Sequence, residues 1–272
     1  MRKINMLTTT SLLLFMSSLV MAANDDFPGR THKKYKDAPY MELADLYKQR
    51  KSVVIVDARS SFEFDTLRIK GAVNIPVSLG TFEGEVKELR SKTDKPLVFY
   101  CNGHTCMKSY KAVLKAKAVG VDNVFAYDAG IFDWTKAHPK EAVLLGQSPV
   151  NLKHLISKKK LKARMLDPDS FADRATIDVS KSFVIDIRDK YQRAGIGFFP
   201  GMERWVSLND MKKLYAYVEK AKKKNKTIYI YDEVGKQVRW LQYALERMGV
   251  TKYYFMQKGA KGYYKMIAKA GP

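Results

Sequence analysis

Residues 53–59, Val-Val-Ile-Val-Asp-Ala-Arg, decide how this chain folds. Four consecutive β-branched residues are typical of a buried strand, and the Asp-x-Arg that follows marks its end. The same pattern returns about 130 residues later as Ser-Phe-Val-Ile-Asp-Ile-Arg, residues 182–188. A chain that repeats a strand together with its polar end contains one folding unit twice.

Further landmarks repeat in the same order and at nearly the same spacing. They are residues 69–72 with 199–202, 97–100 with 228–231, 120–127 with 249–256, and Gly130 and Trp134 with Gly259 and Tyr263. We therefore predict two copies of one domain. We expect Asp57 and Arg59 to form an ion pair that braces the end of the sheet. The second copy repeats this pair as Asp186 and Arg188.

Short apolar runs alternate with helical patterns within each copy. Strands are predicted over residues 53–56, 97–100, 124–127, 183–185, 228–231 and 253–256. Helices are predicted over residues 41–50, 107–118 and 238–248, and another begins at residues 167–170, Asp-Pro-Asp-Ser. Strands that are apolar on both faces and alternate with helices predict an α/β fold with a mostly parallel sheet in each domain.

The two copies also set the expected domain boundaries. We predict an N-terminal domain at residues 38–145 and a C-terminal domain at residues 165–270. The linker between them, residues 146–164, contains Pro149 and a run of three lysines.

Residues 1–22 have the pattern of a cleaved signal peptide. A short basic region, Met1-Arg2-Lys3, precedes an apolar stretch from Leu12 to Val20, and cleavage is expected after Ala22, with Ala23 as the near alternative. The apolar stretch is shorter than the roughly 20 residues that a membrane span requires. We therefore expect an exported, periplasmic protein without a membrane span.

The chain is strongly basic, with 49 Lys and Arg against 28 Asp and Glu. Such a charge attracts anions, including small oxyanions and acidic proteins. Nucleic acid is the weakest candidate and is not expected, because the chain is predicted to be exported and shows no recognition motif. The histidines have no metal-ligand spacing, so we expect no metal and no cofactor.

Both cysteines lie in residues 97–110, Leu-Val-Phe-Tyr-Cys-Asn-Gly-His-Thr-Cys-Met-Lys-Ser-Tyr. Cys101 ends the predicted strand, and we call residues 101–106 the cysteine loop. A thiol between a buried strand and a helix N-terminus meets backbone N–H groups and the positive end of the helix dipole, which favour the thiolate. Two thiols in one loop cannot cross-link distant segments by a disulfide, so we expect them to have a chemical role. The alternative is that Cys101 is a buried structural residue.

Taken together, these landmarks resemble the rhodanese (sulfurtransferase) superfamily in its tandem-domain form. The resemblance rests on Asp57, Arg59, the Gly-Ala-Val-Asn-Ile-Pro segment at residues 71–76, the cysteine loop, and Gly130 with Trp134. It implies that each domain is a doubly wound parallel sheet, with the ligand at the carboxyl end of the central strand.

The resemblance implies that Cys101 is the catalytic residue, which takes a sulfane sulfur as a persulfide and passes it to a thiophilic acceptor. The donor would be a small sulfur anion, such as thiosulfate or a polysulfide, or a protein persulfide. The implied substrate-binding residues are Asn102, Gly103, His104, Thr105, Cys106 and Lys108. Because His104 is the one basic residue inside the loop, we expect poor turnover of thiosulfate. Related phosphatases have a loop that is one residue longer and ends in Arg. Met107 occupies the position of that Arg in this chain, so we do not expect phosphatase activity.

Three roles remain open for Cys106 at this stage. The first is that Cys106 is simply a small residue that ends the loop. The second is that it is a secondary acceptor of sulfur. The third is that it is a resolving thiol, which forms a disulfide with Cys101 in an oxidising compartment. We favour the first role, because a disulfide would collapse the anion cradle.

The second copy has lost the nucleophile, because Asp232 stands where the first copy has Cys101. Its loop reads Asp-Glu-Val-Gly-Lys-Gln, residues 232–237, which we call the Asp232 loop. Asp232 and Glu233 would repel an anionic donor, so we expect an inactive C-terminal domain. Many tandem rhodaneses keep the cysteine in the second domain, so the order here is reversed.

The sequence therefore predicts an exported sulfurtransferase that carries sulfur on Cys101. One alternative is a non-catalytic binding protein in which both domains recognise an acidic partner. The other is a thiol–disulfide sensor that uses Cys101 and Cys106.

Overall fold

The computed structural model describes residues 26–270. The strands are β1 (Val54–Asp57), β2 (Leu67–Ile69), β3 (Val73–Asn74), β4 (Leu97–Tyr100), β5 (Val124–Tyr127), β6 (Ala142–Leu144), β7 (Met165–Leu166), β8 (Ser182–Asp186), β9 (Glu203–Trp205), β10 (Thr227–Tyr231) and β11 (Tyr253–Met256). The helices are α1 (Pro28–Thr31), α2 (Leu43–Gln49), α3 (Ser61–Thr66), α4 (Phe82–Ser91), α5 (Lys108–Ala118), α6 (Gly130–Ala137), α7 (Lys158–Lys162), α8 (Pro168–Thr176), α9 (Lys190–Arg193), α10 (Met211–Lys223), α11 (Val238–Arg247) and α12 (Gly259–Ala270).

The N-terminal sheet is parallel and has the strand order β3-β1-β4-β5. Its central strand, β4, is fully buried. Leu97 and Phe99 pack on one face with α4 and α5, and Val98 and Tyr100 pack on the other face with α2 and α6. Side chains that alternate between two apolar layers explain why this strand reads as a continuous apolar run.

The C-terminal sheet is also parallel, with the order β7-β11-β10-β8-β9. Ile228 and Ile230 of β10 face α10 and α11, whereas Tyr229 and Tyr231 face α8 and α12. Helices cover both faces of both sheets, so the prediction of two tandem doubly wound domains is confirmed.

The sequence placed most elements correctly. The strands predicted at residues 97–100, 124–127 and 253–256 have the same bounds in the structure, and the helix predicted at 107–118 begins one residue later. The antiparallel pair β2–β6, in which Leu67 lies opposite Leu144, was not predicted. The proposed linker contains a 3-10 turn at Leu152–His154 and helix α7.

The predicted signal peptide at residues 1–22 lies outside the described residues. Between residues 26 and 270, the structure has no helix that is both long enough and apolar enough to cross a membrane.

Helix α11 packs against both domains. Val238, Leu241 and Leu245 belong to the core of the C-terminal domain. Trp240 and Tyr243 lie in an apolar cluster of the N-terminal domain, where Trp240 stacks on Phe132 at 5.5 Å between ring centroids. The helix that follows the Asp232 loop is therefore part of the support of the N-terminal domain.

Candidate active site

The predicted ion pair at the end of β1 is confirmed. Arg59 Nη2 lies 2.5 Å from Asp57 Oδ2, and neither side chain has any exposed surface. Arg59 Nη2 also donates to Leu67 O at 2.6 Å, and Nη1 donates to Asn102 Oδ1 at 3.3 Å. The pair therefore joins β1 to the cysteine loop. Asp186 and Arg188 repeat it in the C-terminal domain, at 2.9 Å.

Cys101 follows the last residue of β4 and has no exposed surface. Its Sγ lies 3.1 Å from the carbonyl oxygen of Cys106 and 3.6 Å from Ser109 Oγ. Burial raises the pKa of Cys101 well above its ordinary value, and contact with Cys106 adds to the rise. The expectation that loop amides and the helix dipole would make Cys101 the thiolate therefore differs from the structure.

The pKa of Cys106 is shifted in the opposite direction. Cys106 is partly exposed, and its carbonyl oxygen accepts from the Cys101 thiol at 3.1 Å. The neighbouring Cys101 side chain, together with the backbone N–H groups of Lys108 and Asn102, outweighs burial and lowers the pKa of Cys106 to about 6. The amides that the sequence assigned to a Cys101 persulfide thus lie against the sulfur of Cys106.

Two glycines allow the loop to lie close to the start of α6. Gly103 has φ +138°, and a Cβ there would approach the carbonyl oxygen of Ala129 to 2.9 Å. Gly130 has φ +68°, and a Cβ there would lie 2.4 Å from the backbone nitrogen of Gly103. The Ile131 N–H donates to the Cys101 carbonyl at 3.0 Å. The Gly130 landmark is therefore a point of backbone contact, where any side chain would push the loop away.

Glu63, which the sequence did not single out, connects the cysteine loop to the start of α5. Its side chain is 3% exposed; one oxygen accepts from Asn102 Nδ2 at 3.1 Å, and the other pairs with Lys108 Nζ at 3.3 Å. Burial alone would raise the pKa of Glu63, but Lys108 and Arg59 lower it below its ordinary value. The carboxylate therefore stays charged and ties Asn102 to Lys108.

The other predicted binding residues are spread around the loop. His104 Nε2 lies 2.7 Å from Asp133 Oδ2 on α6, and its ring centroid lies 4.3 Å from that of Phe27. Thr105 is exposed. The structure thus brings Asn102 and Lys108 together at Glu63, whereas His104 pairs with α6. Substrate binding by these residues, and catalysis by Cys101, stay predictions.

The Asp232 loop forms the same kind of cradle and fills it with its own side chain. Asp232 is 3% exposed. Its Oδ1 accepts from the N–H groups of Val234, at 3.0 Å, and Gly235. Its Oδ2 accepts from Gln237 at 2.5 Å and Val238 at 3.2 Å. The four amides therefore bind a carboxylate that belongs to the chain, at the N-terminus of α11, where an anion is stabilised.

The residues that sequence reasoning missed come from distant parts of the chain. Asp133 lies on α6, and Trp240 of α11 places its ring centroid 5.0 Å from the Arg59 guanidinium. One sequence pattern pointed to Glu63, because Ser60 and Glu63 have the spacing of a capping box and form one at the start of α3. A capping box predicts a helix start, but it does not show that the same carboxylate reaches a loop some 40 residues later.

The fold and the site define a class of protein. Two doubly wound domains each end their central strand in a loop of backbone amides beside a helix N-terminus, which suits a bound anion or anionic sulfur. Within residues 26–270, no group of three or more His, Cys, Asp or Glu side chains is arranged to hold a metal ion.

Comparison with known proteins agrees with this class. The family model described as the rhodanese-like domain matches residues 41–137 and, again, residues 157–266. The chain belongs to the rhodanese-like family and carries two such domains in tandem.

Individual relatives are distant. A tRNA uridine(34) hydroxylase of Bdellovibrio bacteriovorus is 27% identical over 97 residues, which is 35% of this chain and 27% of that protein. The BH2092 protein of Bacillus halodurans is 24% identical, with 50% of this chain and 98% of that chain covered and a TM-score of 0.36. A thiosulfate sulfurtransferase of Pseudomonas aeruginosa is 19% identical, with 84% and 44% covered and a TM-score of 0.35.

Proposed function

We propose that this protein is an exported sulfurtransferase that carries sulfane sulfur as a persulfide on Cys101. An anionic sulfur compound, namely thiosulfate or a polysulfide, or a protein persulfide donates the sulfur, and a thiophilic acceptor receives it. Membership of the rhodanese-like family supports sulfur transfer as the general activity.

The observation that carries the proposal is the pair of neighbouring thiols in the cysteine loop, where the Cys101 thiol donates to the Cys106 carbonyl oxygen at 3.1 Å. Cys101 and Cys106 are in contact, both are free, and backbone N–H groups of the loop reach the sulfur of Cys106. Sulfur transfer requires a thiolate to attack the donor and hydrogen-bond donors to hold the anionic product. The cysteine loop has both features, whereas the Asp232 loop has its amides occupied by a carboxylate.

The surface charge supports an anionic donor or an acidic protein partner. The excess of Lys and Arg over Asp and Glu makes the formal charge +21. A positive field of this kind increases the rate at which anions meet the site. The periplasm, reached through the predicted signal peptide, is the proposed location.

The direct test supplies the purified, fully reduced protein with thiosulfate or a polysulfide and then with cyanide. We expect thiocyanate to form, and the intact mass to increase by one sulfur atom before cyanide is added. The double variant Cys101→Ser/Cys106→Ser should show neither result. Glu233→Gln, in the Asp232 loop, is the matched control and should behave as the wild type. If the reduced wild type gains no sulfur and forms no thiocyanate, the protein is not a sulfurtransferase.

A further inference from the structure

The two cysteines lie at different depths in the site. Cys101 has no exposed surface, and its Sγ lies beneath the loop against the Cys106 carbonyl and Ser109. Cys106 is partly exposed. A donor that approaches from solvent can therefore reach residue Cys106, whereas Cys101 has no surface to offer it.

The groups around Cys106 also suit a nucleophile. The backbone N–H groups of Asn102 and Lys108 reach its sulfur, the charge of Lys108 lies nearby, and these groups with the Cys101 thiol lower its pKa to about 6. The pKa of Cys106 thus lies below that of an ordinary thiol, whereas burial raises the pKa of Cys101. Attack on a sulfane sulfur requires the thiolate.

We propose that Cys106 is the outer thiol of a two-cysteine relay: it takes sulfur from the donor and hands it to Cys101. This inference rests on the proposed function and names the residue that begins it. With thiosulfate, the Cys106 thiolate attacks the sulfane sulfur, the S–S bond of the donor breaks, and sulfite leaves with the bonding electrons. Cys106 then carries a persulfide anion.

The second step moves the sulfur inward without net oxidation or reduction. Cys101 attacks the outer sulfur of the Cys106 persulfide, and the bond between the two sulfurs of that persulfide breaks. The proton of the Cys101 thiol, which donates to the Cys106 carbonyl oxygen at 3.1 Å, passes to the Cys106 sulfur as that bond breaks. Cys101 ends as the persulfide anion and Cys106 as a thiol. Because Cys101 is buried, its persulfide is protected from water and from stray oxidants.

The test follows a single turnover with inorganic polysulfide or thiosulfate as the probe. Reduced protein is mixed with the donor, quenched with an alkylating agent at increasing times, and analysed by fragment-ion mass spectrometry, which separates the two cysteines. In the wild type, we expect sulfur on Cys106 first and on Cys101 later. Cys101→Ser should take up one sulfur on Cys106 and hold it there, whereas Cys106→Ser should load Cys101 at least tenfold more slowly than the wild type.

Three results would separate the possible failures. If sulfur arrives on Cys101 with no earlier adduct on Cys106, and Cys106→Ser loads at the wild-type rate, the relay is wrong but the proposed function stands. If the loaded wild type instead forms a Cys101–Cys106 disulfide and releases sulfide, Cys101 attacks the inner sulfur, and the relay is again wrong. If neither cysteine gains sulfur in any form of the protein, the proposed function itself fails. The wild-type time course decides the order even if a variant folds poorly.

Discussion

Replacing Asp232 by Ala should destabilise the protein, although this residue is expected to take no part in sulfur transfer. The buried carboxylate accepts hydrogen bonds from the N–H groups of Val234, Gly235, Gln237 and Val238. Gln237 and Val238 stand at the N-terminus of α11, and α11 packs into the cores of both domains. Removing the carboxylate leaves four donors without a partner at a helix start.

The expected loss lies between two limits. An ordinary helix cap contributes about 0.5–2 kcal/mol, and a hydrogen bond to a charged group contributes about 1.5–3 kcal/mol. The contribution of four such bonds would be much larger than that of one helix cap. A cavity of about 460 Å³ borders the Asp232 loop, however, so water can bind some of the amides that lose the carboxylate. We therefore expect a loss of about 3 kcal/mol in the free energy of unfolding, by combination of these magnitudes.

Denaturant titration followed by tryptophan fluorescence measures this loss. Trp205 and Trp240 belong to the C-terminal domain and Trp134 to the N-terminal domain, so the signal reports on both domains, including the one that contains Asp232. Glu233→Gln is the matched control: it removes the charge of a neighbouring carboxylate whose Oε1 lies 3.8 Å from the exposed Lys261 Nζ and whose Oε2 has no hydrogen-bond partner among the described residues. We expect this control to change stability by less than about 0.5 kcal/mol. If Asp232→Ala changed stability as little as the control, the amide cradle would not hold α11, and the reasoning would be refuted.

Four further outcomes are expected. Alkylation of reduced protein with iodoacetamide should label Cys106 before Cys101, and its rate should rise with pH around a midpoint of about 6, because the thiolate forms above that pH; a midpoint near that of an ordinary thiol, about 8.5, would contradict this. Glu63→Gln should lower stability at pH 7 by about 1 kcal/mol, since it breaks the contact of the buried Glu63 carboxylate with the partly exposed Lys108. That difference should be full above the unfolded pKa of about 4.3 and should vanish as the pH falls through the lower folded pKa, as denaturant titrations at several pH values would show. The rate of sulfur loading should fall as salt is raised from about 0.01 M to about 0.1 M, because the screening length shortens from about 30 Å to about 10 Å. The alkylation midpoint of Cys106 should stay nearly constant over the same range. A loading rate that does not change with salt would mean that the basic surface binds another partner. Gly130→Ala should abolish loading, because its Cβ would lie 2.4 Å from the Gly103 nitrogen, and stopped-flow or mass measurement would detect any loading that remained.

The sequence by itself determined the architecture. A repeat with one offset shows two copies of a domain, and continuous apolar runs that alternate with helical patterns show parallel sheets covered on both faces. It also determined the Asp57–Arg59 pair, because two residues at the end of one strand are close in space whatever the rest of the chain does. These features depend on local spacing, and local spacing is written in the sequence.

The chemistry of the site was decided only by the tertiary structure. Sequence reasoning assigned the thiolate to Cys101, but full burial raises the pKa of that thiol, while the neighbouring Cys101 side chain and the backbone N–H groups of Lys108 and Asn102 lower that of Cys106. Likewise, Glu63 meets Lys108 across 45 residues, and Trp240 reaches Arg59 from the other domain. Burial and contacts between distant segments set the energy of a charge, and neither is determined until the whole chain has packed.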